Sequence, residues 1–132
     1  ELDEALHELG ARPERIGYGV ADQEAVDHLP DIVRRLAEDC RDAAAIVTHP
    51  YEGGHPDHDA AALAVRLAAD RLDRRPELVE FACYHQRDGQ RVFGGFWPDA
   101  AHPEQARALS PFERGAVARA LGAHASQRAV FG

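Results

Sequence analysis

Ala43-Ala44-Ala45-Ile46-Val47-Thr48-His49, then Pro50-Tyr51-Glu52-Gly53-Gly54, then His55-Pro56-Asp57-His58-Asp59-Ala60-Ala61-Ala62-Leu63-Ala64, is the stretch on which the reading of the fold turns. Residues 43–49 form a compact apolar run that ends in polar groups, which predicts a buried strand. The turn formers of Pro50–Gly54 break that run. Pro56 suits the first position of a helix, which makes His55 its N-cap and puts Asp57 and His58 in the first turn. The helix is expected over 56–73, with Ala60, Leu63, Ala64 and Leu67 on one side. Asp59, Arg66, Asp70, Asp73 and Arg74 fall on the other side as a solvent stripe.

Working outward, the opening ELDEALHELG spaces Leu2, Ala5, Leu6 and Leu9 for one helical face, with Gly10 as a stop. RIGYGV at 15–20 reads as a short strand running into Asp22. A helix is expected over 31–41, with Pro30 at its start and Cys40 sharing an apolar face with Ile32, Val33, Leu36 and Ala37. LVEFACYH at 78–85 reads as one strand, and Asp88-Gly89 as a hairpin turn into RVFGGFW. Ser110-Pro111-Phe112-Glu113 combines an N-cap, a first-turn proline and a capping-box glutamate, opening a helix to about Ala123. Strands alternating with helices predict an α/β fold. The expectation is a mainly parallel sheet flanked by helices, a Rossmann-like three-layer arrangement with a C-terminal hairpin and helix. Its chemistry would lie in the loops after Val20 and His49, beyond the carboxyl ends of strands.

The 132 residues suit one domain, and 45% hydrophobic content is that of a globular chain. No apolar run approaches the roughly 20 residues a membrane-spanning helix needs, and no secretory opening is present. A soluble, cytoplasmic protein is therefore expected. A net charge of −8 argues against a nucleic-acid partner. Cys40 and Cys83, isolated in apolar patterns, read as buried small hydrophobes. A first residue Glu1 already inside a helical pattern, in a chain without methionine, suggests that sequence precedes it.

The loop is dense in catalytic residue types. His58, held on a helix, can present a ring nitrogen to a metal. Asp57 suits a helix N-terminus and is near enough to orient a neighbouring imidazole. His55 can donate to a developing oxyanion or to a leaving amine. The competing reading is that His55-Pro56-Asp57-His58 only caps a helix, in a non-catalytic scaffold or interaction domain. A phosphoester hydrolase is disfavoured because residues 48–58 carry no arginine or lysine. Of the other histidines, His49 and His85 end strands near a cleft, whereas His7, His28, His102 and His124 read as exposed polar residues.

THPYEGGHPDHDAAALA at 48–64 resembles the second signature of the PIG-L or LmbE-like de-N-acetylases, the family related to N-acetylglucosaminyl-phosphatidylinositol deacetylase. ELDEALHELGARPERIGYGVAD at 1–22 and HASQ at 124–127 are similar to flanking parts of the same family. The resemblance implies zinc-dependent hydrolysis of the acetamide of an N-acetylglucosamine-type sugar conjugate, releasing acetate and a free amine. It implies His58 as a metal ligand, His55 as a stabiliser of the tetrahedral intermediate and Asp57 as the residue tuning it. Asp22 matches a position that can face the sugar, and Tyr51 takes no role. The family's other signature, which supplies two more ligands and the general base, is expected upstream of residue 1. The 132 residues would then be a single incomplete deacetylase domain, binding zinc weakly and inactive when isolated.

Overall fold

The computed structural model describes residues 1–98, 101–102 and 104–127. Its contacts fall into two compact units, one of residues 1–17 with 105–127, the other of residues 18–104 as far as they are described.

In the first unit, α1 (Leu2–Glu8) packs against α4 (Pro111–Ala123). The α4 start is as the sequence predicts. Ser110 accepts from the Glu113 backbone N–H, and the Glu113 carboxylate accepts from the Ser110 N–H at 2.8 Å, closing a capping box. Arg119 of α4 holds Glu8 of α1 at 2.6 Å. The Ser126 N–H and hydroxyl both donate to the Glu1 carboxylate, at 2.9 and 2.7 Å, so the serine of HASQ is spent on the first residue.

In the second unit, α2 (Leu29–Asp39) lies against α3 (Pro56–Ala69). Val33, Ala64 and Ala68 form the buried contact, ringed by Leu29, Ile32, Leu36 and Ala37. Alanines make up most of the buried positions of α3: Ala60, Ala62, Ala64, Ala68 and Ala69 are buried with Val65, while Leu63 and Leu67 are 42% and 40% exposed. The buried positions therefore fall on the small residues rather than on Leu63 and Leu67.

Strand β1 (Ala45–Thr48) pairs in parallel with β2 (Glu77–Glu80), Ala45 opposite Glu77 and Thr48 opposite Glu80. The crossover between them is α3, as a parallel pair requires. Strand β3 (Tyr84–Arg87) pairs antiparallel with β4 (Gln90–Phe93) around Asp88-Gly89, whose positive φ values of 52° and 75° fit the tight hairpin turn.

These two pairs replace the expected Rossmann-like three-layer sheet: among the described residues there are two two-stranded sheets, one parallel and one antiparallel. Residues 15–20 form no strand. Gly17 and Gly19 weaken extended structure there, and Tyr18 is instead held by side chains, its hydroxyl donating to Asp39 at 2.6 Å and its ring lying under Arg35 at 3.9 Å. The run 78–85 divides at Phe81–Cys83, because its first half takes β1 as partner and its second half takes β4. Strand β1 is not enclosed: Thr48 is buried, yet Val47 is 65% exposed. No helix among the described residues is long and apolar enough to cross a membrane.

Candidate functional site

Helix α3 starts where the sequence places it, and its cap is a histidine. His55 is extended, and its Nδ1 accepts the backbone N–H of Asp57 at 3.2 Å. A nitrogen that accepts carries no proton, so the neutral ring has its hydrogen on Nε2 and keeps that nitrogen as its donor. The cap satisfies one of the N–H groups that every helix start leaves unpaired.

Asp57 does not reach an imidazole with its carboxylate. Its Oδ2 accepts from the Gln23 N–H at 2.7 Å and its Oδ1 from the Ala25 N–H at 3.2 Å. These backbone bonds, Gln23 first, hold its carboxyl below the ordinary range, and the nearby His55 and His58 rings add to the effect. Asp57 therefore acts on His55 through its backbone N–H and its charge. It also ties the 22–25 turn, where Gln23 has φ 67°, to the start of α3. That tether brings Asp22, exposed and far away in sequence, to where Asp22, His55 and Asp57 each offer an atom within 4.8 Å of the others.

The loop before the helix is fastened by a residue the sequence assigned to solvent. Asp59 Oδ1 accepts from the backbone N–H groups of Glu52 and Gly53, both at 3.0 Å. Beneath this loop lie two buried titratable side chains. Glu52 Oε1 and His85 Nδ1 face each other at 3.8 Å, and neither atom has a hydrogen-bond partner among the described residues. Trp97 covers them: its ring is 4.7 Å from that of His85, and its Nε1 donates to the Glu52 carbonyl at 3.4 Å. Gly54 runs so close to Tyr84 that an added Cβ would come within 2.3 Å of the Tyr84 carbonyl oxygen.

His58 lies against His49. The two rings stack, centroids 4.0 Å apart and planes within 2°. The ring centroids of His55 and Tyr84 lie 5.0 and 5.5 Å from that of His58, and the centroid of Phe81 lies 4.7 Å from that of His49. Cys83 completes a second group, in which His49, His58 and Cys83 offer atoms within 4.8 Å of one another. Burial, with the His58 charge second, pushes the His49 pKa down and favours its neutral, metal-binding form.

The structure thus gathers all four residues singled out in the sequence, His55, Asp57, His58 and Asp22, around one helix start. It adds His49, Cys83, Asp59, Glu52 and His85. Only His49 and His85 carried a signal, as strand-end histidines. Tyr51 is 69% exposed. A cavity of about 300 Å³ lined by Asp3, His7, Arg12 and Arg15 contains none of these residues. No protein-family model, curated protein or solved structure matches the chain.

As donors for zinc, His58, His49 and Cys83 are chemically suitable, being imidazole nitrogens and a thiol. The Asp22, His55, Asp57 group is less so, because both Asp57 oxygens and His55 Nδ1 already accept backbone hydrogens.

Proposed function

We propose that the β1–α3 junction belongs to a zinc-dependent de-N-acetylase that hydrolyses the acetamide of an N-acetylglucosamine-type sugar conjugate to acetate and a free amine. The observation that carries this reading is the cap bond of His55. By occupying Nδ1 it reserves Nε2–H as a donor at the mouth of the junction, next to His58. Zinc, when bound, supplies Lewis acidity toward the acetamide carbonyl and toward water. His58 would hold the ion, His55 donates a hydrogen bond from Nε2 to the oxygen that gains charge, and Asp57 fixes the ring through the backbone N–H it gives to Nδ1. The proton that the departing nitrogen takes up comes from the attacking water. Asp22 accepts from a sugar hydroxyl at the edge of the site.

A scaffold in which these residues only cap α3 would need His55 alone. It gives no reason for His58 to sit between His55 and His49, nor for Asp57 to draw Asp22 to the same place. The deciding assay is acetate release from N-acetylglucosaminyl conjugates by the zinc-loaded full encoded polypeptide. His55→Ala should lower kcat by about 10²–10³-fold, the usual share of one hydrogen-bond donor to a developing oxyanion, with little change in KM. A zinc-loaded protein that releases no acetate, or a His55→Ala variant with unaltered kcat, overturns the proposal.

A further inference from the structure

We propose that His49, His58 and Cys83 form a thiolate-containing metal site whose three protein donors all lie within these 132 residues. It takes a borderline-soft divalent ion of the zinc type. The inference shares His58 with the reading above and rests on that reading for nothing else.

Strand register is what assembles the site. Thr48 stands opposite Glu80 in the parallel pair, and the Phe81 N–H extends the ladder by donating to the Thr48 carbonyl at 3.2 Å. His49 and Phe81 are therefore neighbours just beyond the strand ends. Cys83, two residues past Phe81 in the link to β3, brings its sulfur within 4.8 Å of a nitrogen of each histidine. Its backbone is pinned there by the Gly94 N–H, which donates to the Cys83 carbonyl at 3.0 Å. The third donor comes from the first turn of α3, the crossover that joins the two strands. Strand ends and the following helix start converge at this place in any parallel βαβ unit, and here each contributes a ligand type.

The His49 imidazole gives the independent sign of a missing partner. Its Nδ1 is shielded from solvent and has no hydrogen-bond partner among the described residues, a costly state for a buried polar atom. A tetrahedral ion with Zn–N near 2.0–2.1 Å and Zn–S near 2.3 Å holds its donors about 3.3–3.6 Å apart. Donor atoms now within 4.8 Å of one another need to close by roughly 1 Å, within the reach of side-chain rotation. One ring must also turn. Imidazole lone pairs lie in the ring plane, so two parallel rings cannot aim at one ion, and binding must break the His49–His58 stack. Of the two donor groups around α3, this one is free to do so, because the Asp57 oxygens and His55 Nδ1 are engaged with backbone hydrogens.

The test is titration of the 132-residue chain with Co²⁺, read by absorption, with Zn²⁺ competition for affinity. The expected result is stoichiometric binding with a near-ultraviolet sulfur-to-cobalt charge-transfer band and visible bands of tetrahedral intensity. Cys83→Ser should abolish the charge-transfer band and, like His49→Ala and His58→Ala, weaken Zn²⁺ binding by more than about 10–100-fold, the loss that second-shell changes alone produce. Cys40→Ser should leave the band intact, and circular dichroism of each variant checks folding. Binding without a charge-transfer band, a band that survives Cys83→Ser, or no stoichiometric binding each overturns the proposal. Binding that depends on His58 without thiolate absorption would still leave the acetamide reading standing. A full polypeptide with the band but no acetate release would sink that reading and keep this site.

Discussion

Helices α3 and α4 begin with the same formula, a polar N-cap followed by proline and an acidic residue in the first turn, yet the two starts are used differently. At α4 the polar groups close on one another. Ser110 and Glu113 exchange hydrogen bonds, and Arg107 covers the Glu113 carboxylate at 2.8 Å. At α3 the cap is an imidazole that keeps one nitrogen free, and the carboxylates reach outward. Asp57 holds the turn at 23–25, and Asp59 holds the loop at 52–53. A self-contained cap stabilises a helix. A cap whose residues fasten other segments builds a site.

The change expected to separate the two starts most is Gly54→Ala. Its Cβ would sit 2.3 Å from the Tyr84 carbonyl oxygen, so the loop or the hairpin has to shift. Destabilisation by about 1–3 kcal/mol, typical of forced overpacking, is expected in chemical unfolding followed at the residue 18–104 unit. Gly115→Ala inside α4 is the counterpart. Its nearest neighbour is the flexible Arg119 guanidinium at 3.4 Å, so improved helix propensity should stabilise by about 0.5–1 kcal/mol.

Ser110→Ala should cost about 1 kcal/mol, the ordinary value of an N-cap, and speed amide exchange over the first turn of α4 only. Asp57→Asn tests the outward-reaching start: amide exchange at Gln23 and Ala25 should quicken while the first turn of α3, still capped by His55, stays protected. Equal exchange at those two amides in variant and parent would remove the tether from the account.

The smallest effect is in pH. Arg107, then the Ser110 backbone N–H and hydroxyl, hold the Glu113 carboxyl at about 2, against an ordinary 4.5. A depressed carboxylate stabilises the fold fully above its unfolded pKa and loses that contribution as pH falls through the folded value. The α4 start should therefore weaken between about pH 4.5 and 2. Carbonyl NMR titration of Glu113 checks this, and Arg107→Ala should move the midpoint upward.

Much of the local structure was legible along the chain. Pro56 and Pro111 marked both helix starts, and Ser110 with Glu113 spelled out a capping box. Asp88-Gly89 marked the hairpin. These signals work because caps and turns are built from residues within a few positions of each other. The misreadings have one origin. Gly17 and Gly19 interrupt a run that looked strand-like, and 78–85 alternates smoothly although its partner strand changes midway. Alternation records which faces differ in polarity and is silent about which strand accepts the hydrogen bonds. The same limit hid Asp59, whose place on the polar side of α3 gives no hint of two loop amides beside it.

What the sequence by itself determined is therefore local: His55 as a cap, Asp57 and His58 in the first turn of α3, and a strand leading into that loop. Only the tertiary structure decided that Asp57 spends its charge on Gln23 and Ala25, that His58 stacks on His49 rather than on His55, and that Cys83 joins them. Those contacts depend on the β1–β2 register and on the packing of α3 against α2 through Val33, Ala64 and Ala68. Such distances are set by packing between segments remote in sequence, which no local pattern of residue types encodes.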